Sequence, residues 1–259
     1  MSDRVCIGGL DFDVVTGTQL IAQVADAIGR GLGGTIVTPN VDICRLAGRD
    51  PVSRDLVACS SIVVPDGMPL VWAARLAGRP LRERITGADL IFALSEVAAA
   101  RSWPVYLIGG LPGADGLPGA AELAGRGIAE RYPGIEVAGA YSPPARFDAV
   151  ADDIGELRAA LVAARPKIVF VGLGFPKQEH LIARLAADLP GTWFMGCGAA
   201  ILFAGGTVRR APAWMQRTGL EWLYRLISEP RRLARRYLVD DLPFAIRLLA
   251  GSLRQRHSG

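Results

Sequence analysis

Six short, largely apolar runs recur along the chain, each parted from the next by a longer stretch of helical periodicity. They are Thr35 to Thr38, Ser61 to Val64, Val105 to Ile108, Ile135 to Ala138, Ile168 to Val171 and Thr192 to Met195. Runs this short and rich in Ile and Val read as strands covered on both faces, which is the condition of a parallel sheet. The segments Thr18 to Arg30, Val41 to Asp50, Met68 to Leu76, Ala88 to Ala100, Pro118 to Arg131, Phe147 to Ala164 and Glu179 to Asp188 space their apolar residues for helices. Strand and helix in alternation specify an α/β fold with a doubly wound, mostly parallel sheet. At 259 residues, 51% of them hydrophobic, the chain has enough apolar surface for one good core.

In such Rossmann-like sheets ligands bind beyond the carboxyl ends of the strands, where loops and helix starts converge. Four of those ends carry polar or glycine signals: Thr38, Pro39 and Asn40; Pro65, Asp66 and Gly67; Gly109 and Gly110; and the run from Gly172 through Gly174, Pro176, Lys177 and Gln178 to Glu179. The last begins like a dinucleotide fingerprint but lacks the third glycine opening a helix, which turns the expectation away from NAD.

Each polar residue at these ends has a structural and a chemical use. Thr38 and Asn40 can meet sugar hydroxyls or a phosphate, while Asn40 can equally cap the next helix. Asp66 can be an N-cap, or a general base held within reach of a substrate hydroxyl. Arg79, Arg82 and Arg84 form a basic loop, solvated in the simplest case. Arg84 also stands just before Thr86 and Gly87, where a helix start beside an arginine would seat a phosphate. Pro176 and Gln178 are placed for ligand contact, whereas Glu179 is assigned to the helix start.

The four cysteines have no paired spacing, and two histidines are too few for a histidine metal cage. Met1 to Ile7 lacks the apolar core of a signal peptide, so a cytoplasmic location is expected. The uncharged stretch Leu189 to Val208 is broken by Pro190 and five glycines and reads as a buried strand with loops rather than a span. Of the formal charge of +4, the segment Arg209 to Arg256 contributes +7, leaving −3 for the remainder. Strands stop near Gly206, so residues 1–206 are expected to form the catalytic α/β domain and 207–259 a helical, arginine-rich appendage. Trp214, Trp222, Tyr224 and Tyr237 interleave there with arginines, a pattern that suits a membrane interface or packing on the core.

Taken in order, Thr38 with Asn40, Asp66 with Gly67, Arg84 with Gly87, Gly109 with Gly110, Gly172 through Glu179, and Arg210 through Tyr237 resemble the glycosyltransferase family 26 enzymes, the WecG/TagA/CpsF group. The resemblance covers nearly the whole chain. It implies an inverting, metal-independent transferase without cofactor, moving an N-acetylmannosaminyl, mannosaminuronyl or glucosyl group from a UDP-sugar to a polyprenyl-diphosphate-linked sugar. It makes Asp66 the catalytic base, and Thr38, Asn40, Arg84 and Gln178 sugar- and diphosphate-binding residues. Gly109, Gly110, Tyr141, Gly172, Gly174, Pro176, Arg210, Arg225, Arg232 and Arg235 complete the expected substrate-binding set. The basic appendage would rest on the inner face of the bacterial plasma membrane, and a homo-oligomer is left open. Leu202, where relatives often carry Asp, and Pro69, where glycine is usual, depart from the pattern. Two alternatives compete: a nucleotide-binding oxidoreductase, from the strand and glycine pattern, and a nucleic-acid-binding module, from the arginines.

Overall fold

The chain opens with a hairpin that the spacing of the six runs does not reveal. In the computed structural model, which describes residues 3–114 and 116–258, β1 (Arg4–Ile7) and β2 (Leu10–Asp13) pair antiparallel across Gly8 and Gly9. Both glycines take positive φ, +61° and +82°, as a tight hairpin turn requires. Val5, Ile7, Leu10 and Phe12 face inward.

The α/β units follow: α1 (Gly17–Gly29), β3 (Gly34–Val37), α2 (Val41–Ala47), α3 (Pro51–Ala58), β4 (Ile62–Val63), α4 (Met68–Leu76), α5 (Gly87–Ala100), β5 (Val105–Gly109) and α6 (Ala120–Arg131). Then come β6 (Val137–Tyr141), α7 (Gly155–Ala164), β7 (Ile168–Gly172), α8 (Lys177–Ala186), β8 (Trp193–Gly196) and α9 (Ala200–Ala204). The six strands form one sheet in the order β4-β3-β8-β7-β5-β6, with every pairing parallel. Alternate residues serve opposite faces. Ile36, Leu107, Phe170 and Met195 pack with Leu20, Ile91 and Ile128 from α1, α5 and α6. Their neighbours Ile108, Val171 and Phe194 meet Leu161, Leu181 and Leu185 from α7 and α8.

All six expected strands are present, and of the boundaries that differ three have a clear local reason. The helix from Val41 ends at Ala47 because Asp50 caps a second helix, accepting from the Val52 and Ser53 amides with Pro51 in the first turn. The helix expected from Phe147 begins only at Gly155, since Asp148 and Asp153 accept from the amides of Val150, Ala151 and Gly155 and hold turns instead. The strand expected at Ile135 starts at Val137, because the Ile135 amide closes the turn after α6 on the Tyr132 carbonyl.

Beyond Gly206 the described residues contain helices and no strand: α10 (Ala213–Thr218), α11 (Glu221–Ser228), α12 (Pro230–Ala234), a π-helical stretch Arg235–Asp241 and α13 (Leu242–Ser258). They fold back onto the α/β unit. Phe244, Leu248 and Leu249 of α13 pack against a cluster holding Leu70, Ala73 and Ala74 of α4 and the hairpin residues. Arg45 of α2 pairs with Asp241 at 3.2 Å, and Arg236 with Asp42 at 3.0 Å.

The hairpin also protects the sheet edge. Asp13, 3% exposed, accepts the Val63 amide of β4 at 2.8 Å and pairs with Arg4. Asp13→Ala is therefore expected to cost about 1–3 kcal/mol in denaturant unfolding, the penalty for a buried amide left without its acceptor.

Candidate active site

A wholly parallel sheet sends all six carboxyl ends to one edge, so the polar strand ends share it. The loops after neighbouring β3 and β4 run side by side: the Val64 amide bonds Val37, the Asp66 amide bonds Pro39 at 2.9 Å, and the Ile85 amide bonds Pro65 at 2.9 Å. Thr38, Asn40, Asp66, Arg84 and Gly87 are thereby gathered. A Cβ on Gly87 would lie 3.3 Å from Thr38 Oγ1 and 3.5 Å from Cys197.

Asn40 does cap α2, its Oδ1 accepting the Ile43 amide at 3.1 Å. The cap occupies only the oxygen. Its amide nitrogen and the Thr38 hydroxyl make no hydrogen bond with described residues. Asp66 is not a cap: the N-cap of α4 is Gly67, without any side-chain bond. Its carboxyl is instead partly buried and pushed up to about 6, chiefly by desolvation, with Arg84 pulling it down and Glu221 and Asp89 pushing it up. The Gly87 amide at the start of α5 also lowers it, and the balance leaves a carboxyl raised toward neutral pH and suited to accept a proton there.

Arg84 and Arg210 meet here from opposite sides of the 206 boundary. Arg84 donates to the Gln216 carbonyl at 2.9 Å and pairs with Glu221 at 3.4 Å; Arg210 donates to Glu221 at 3.1 Å and to Asp89. Glu221, at the start of α11, is thus the hub joining the appendage to the Asp66 loop. Its only mark in the sequence is that of an acid in a helix's first turn. Arg225 lies four residues on, on the same face of α11, half-buried and without an ion-pair partner among the described residues. Arg235 is exposed, and the side chain of Arg232 lies outside the described residues.

The glycine turn after β7 is built differently from expectation. Gln178 is 4% exposed; its Oε1 accepts the Gly174 and Gly198 amides at 3.2 and 3.0 Å and its Nε2 donates to Glu179 at 2.8 Å. The expected direct sugar contact is therefore corrected: Gln178 lies beneath the surface and braces the loops after β7 and β8, its polar atoms already engaged. The loop after β8, Gly196 to Gly198, was not among the expected strand ends, although β8 sits centrally between β3 and β7. Gly109, Gly110 and Gly172 are required by the protein's own packing: a Cβ on Gly110 would fall 2.2 Å from that of Ala120, and one on Gly172 2.7 Å from the Gly198 carbonyl. Gly174, with φ +77° and open space at its Cβ position, and Pro176, at the start of α8, remain at the surface of the turn. Tyr141 ends β6, five strand spacings or about 24 Å from β4, so the fold does not bring it to Asp66.

Glu179 lies in the first turn of α8, as expected. It is buried, its Oε2 has no partner, and desolvation pushes it up to about 7 from an ordinary 4.5. Between those values the folded chain holds a proton that the unfolded chain has released, so stability falls as pH rises from about 4.5 to about 7 and is level above. Glu179→Gln should remove that slope and gain up to about 3 kcal/mol above pH 7, read by thermal unfolding across pH. Among the described residues no group of three His, Cys, Asp or Glu is arranged to hold a metal ion.

A sequence profile of the glycosyl transferase WecG/TagA/CpsF family matches residues 5–258. The chain is 32% identical over 230 residues to an N-acetylglucosaminyldiphosphoundecaprenol N-acetyl-beta-D-mannosaminyltransferase of Bacillus spizizenii, covering 88% of this chain and 85% of that one. The enzymes of the same name from Bacillus subtilis and Staphylococcus aureus MW2 are 34% and 28% identical, covering 80% and 90% of this chain and 77% and 87% of theirs. The α/β fold with its parallel sheet is consistent with a Rossmann-like glycosyltransferase. The chain belongs to the WecG/TagA/CpsF family and is a hexosyltransferase.

Proposed function

We propose that the protein transfers an N-acetylmannosaminyl group, with inversion, from its UDP-activated form to an N-acetylglucosaminyl-diphosphate polyprenol. The observation carrying this reading is Asp66, a desolvated carboxylate beside Arg84 that does not cap the helix following it and stands where two strand-end loops meet. The names of the relatives supply the sugar and the acceptor class.

In the step itself Asp66 takes the proton of the acceptor hydroxyl as its oxygen bonds to the anomeric carbon. The bond from that carbon to the β-phosphate oxygen breaks, and UDP leaves with the electron pair. Arg84 and Arg210 supply charge for the departing diphosphate once they exchange their carboxylate partners for it. Thr38 and the free amide of Asn40 face the sugar, and the nucleotide extends along the sheet edge toward Gly174.

The appendage gives the protein its membrane contact. No helix among the described residues is long and apolar enough to cross a bilayer. Trp214, Trp222, Ile227, Val239 and Ile246 are exposed on helices that also carry Arg231 and Arg235, with Arg209 in the loop before them, an arrangement for lying on an anionic surface. Residues 1–206 act as the catalytic unit and 207–259 as the part that completes the site.

The test is a panel of UDP-sugars offered with a short-chain polyprenyl-diphosphate N-acetylglucosamine and scored by product mass. UDP-N-acetylmannosamine should give a product one N-acetylhexosamine heavier. Product from another sugar alone would replace the donor; binding of NAD without UDP would restore the oxidoreductase alternative. Salt-sensitive RNA binding with no affinity for anionic vesicles would favour the nucleic-acid alternative.

A further inference from the structure

We propose that a cleft between α4 and α10, beside the Asp66 loop, is the seat of a lipid-linked diphosphate, the anionic part of the acceptor. The inference rests on the transfer proposed above and adds the place where the acceptor's phosphates sit.

The cleft has a volume of about 440 Å³, within the range of small-molecule sites. One wall is a single face of α4, where Met68, Val71 and Arg75 recur at helical spacing; the other is Ala213, Gln216 and Arg217 of α10. The floor is the loop carrying Arg82, Glu83 and Arg84, with Asp89 at the start of α5. The site is thus divided between the α/β unit and the appendage.

Its charges are unequal in a way the total hides. Glu83 accepts the Gly17 amide at the start of α1, and Asp89 accepts from Arg210 and Thr86. Both carboxylates are engaged elsewhere. Arg75, Arg82 and Arg217 have no carboxylate within ion-pair distance among the described residues, although Arg84 and Arg210 nearby are both paired. Three exposed, unpaired guanidinium groups around one concavity favour a ligand with several negative charges, and their planar donor forks suit phosphate oxygens.

The rest of the lining selects a lipid-linked diphosphate over a free one. Met68, Val71 and Ala213 offer an apolar wall where an isoprenoid chain would leave the phosphates. Trp72 and Trp214, each next in sequence to a lining residue, are 42% and 59% exposed. Indole rings so exposed are at home at the membrane interface, and one belongs to each wall. Arg84 lies both in the cleft and beside Asp66, so a sugar carried on the seated diphosphate is led toward the base.

Farnesyl diphosphate, inorganic pyrophosphate, phosphatidylglycerol vesicles and UDP would be titrated calorimetrically into the full chain and its Arg75→Gln/Arg82→Gln/Arg217→Gln variant. Farnesyl diphosphate should bind the unaltered protein at least tenfold tighter than pyrophosphate. The variant should lose at least tenfold of that affinity, about the loss of one charge-assisted contact, while UDP affinity holds within twofold. In turnover, acceptor KM should rise while kcat and donor KM stay close to their starting values. Should the triple variant fail to bind UDP, Arg82→Gln alone, on an exposed loop, carries the same comparison with a smaller loss. Unchanged farnesyl diphosphate affinity in a UDP-binding variant overturns the proposal, as does a loss confined to vesicles, which would make the cleft a headgroup site. Loss of farnesyl diphosphate binding in a protein that transfers no sugar would sink the proposed function and leave the diphosphate seat standing.

Discussion

Asp66→Asn is expected to lower kcat by a factor of about 10²–10⁴, the usual contribution of a positioned general base. The isosteric amide keeps the shape of the loop, whose fixed contacts are backbone ones: Asp66 amide to Pro39 and Ile85 amide to Pro65. What it removes is a carboxylate that, unlike Asp89 and Glu221, has no arginine within ion-pair distance among the described residues. The pH profile adds a second signature. A base must be unprotonated, so the rate of the unaltered enzyme should fall as pH drops through about 6, and that limb should vanish in the variant. Stability should move the opposite way. Because burial raises the Asp66 carboxyl, ionising it weakens the fold as pH rises from about 4 to about 6, and that cost persists above. The amide escapes the cost, so the variant should be as stable as the parent or more so above pH 6, by at most about 3 kcal/mol. The carboxylate keeps some contact with water, so the gain should fall short of that bound. An inactive but stabilised protein is the signature of a group kept for chemistry. Full activity in Asp66→Asn would remove the base from the mechanism.

The sheet was legible because its signal is local and repeated: six apolar runs of strand length, each followed by a turn, can be paired only a few ways. The hairpin leaves a weaker signal: Gly8 and Gly9 between alternating apolar residues mark a tight turn, but each strand is only four residues long. Asp66 and Asn40 presented identical ambiguities in sequence, since acids and amides before a helix are caps as often as ligand groups. Coordinates separate them at once, Asn40 with its oxygen on the Ile43 amide and Asp66 with none of α4 to hold. Gln178 and Glu179 show the reverse limit. Adjacent in sequence after a glycine turn, they looked like one ligand contact and one helix start. Their burial depends on how the loops after β7 and β8 close over them, a contact across twenty residues that no local pattern encodes.

The appendage was legible as composition and opaque as geometry. Its arginines announced an anionic partner, yet Arg210 is held by two carboxylates, Glu221 and Asp89, while Arg225 and Arg235 have no such partner among the described residues. The distinction lies in which helix face returns to the α/β unit. Residues four apart on α11 share a face, so Glu221 and Arg225 turn to the same side with opposite charges. In the transfer proposed above, a diphosphate arriving there would displace the carboxylate and be met by the arginines it leaves.

That exchange gives the second large effect, a pair of variants whose pH profiles should move in opposite directions. Arg84→Gln removes both a cation that lowers the Asp66 carboxyl and a donor for the departing diphosphate. The acid limb of the rate profile should move above pH 6, and kcat/KM should fall by about 10²–10³, the loss typical of one preorganised donor to developing charge. Glu221→Gln takes away an anion that raises the same carboxyl and releases Arg84 and Arg210 together. Its acid limb should move below pH 6. Its maximal rate should change far less than that of Arg84→Gln, because the charge that stabilises the leaving group is still present. A merely structural role for the cluster predicts losses of similar size in both variants with no change in the limb, and thermal unfolding at one pH would register such losses. Opposite shifts in otherwise folded proteins require that Asp66, Arg84 and Glu221 share one electrostatic environment, in which the appendage sets the proton affinity of the base it covers.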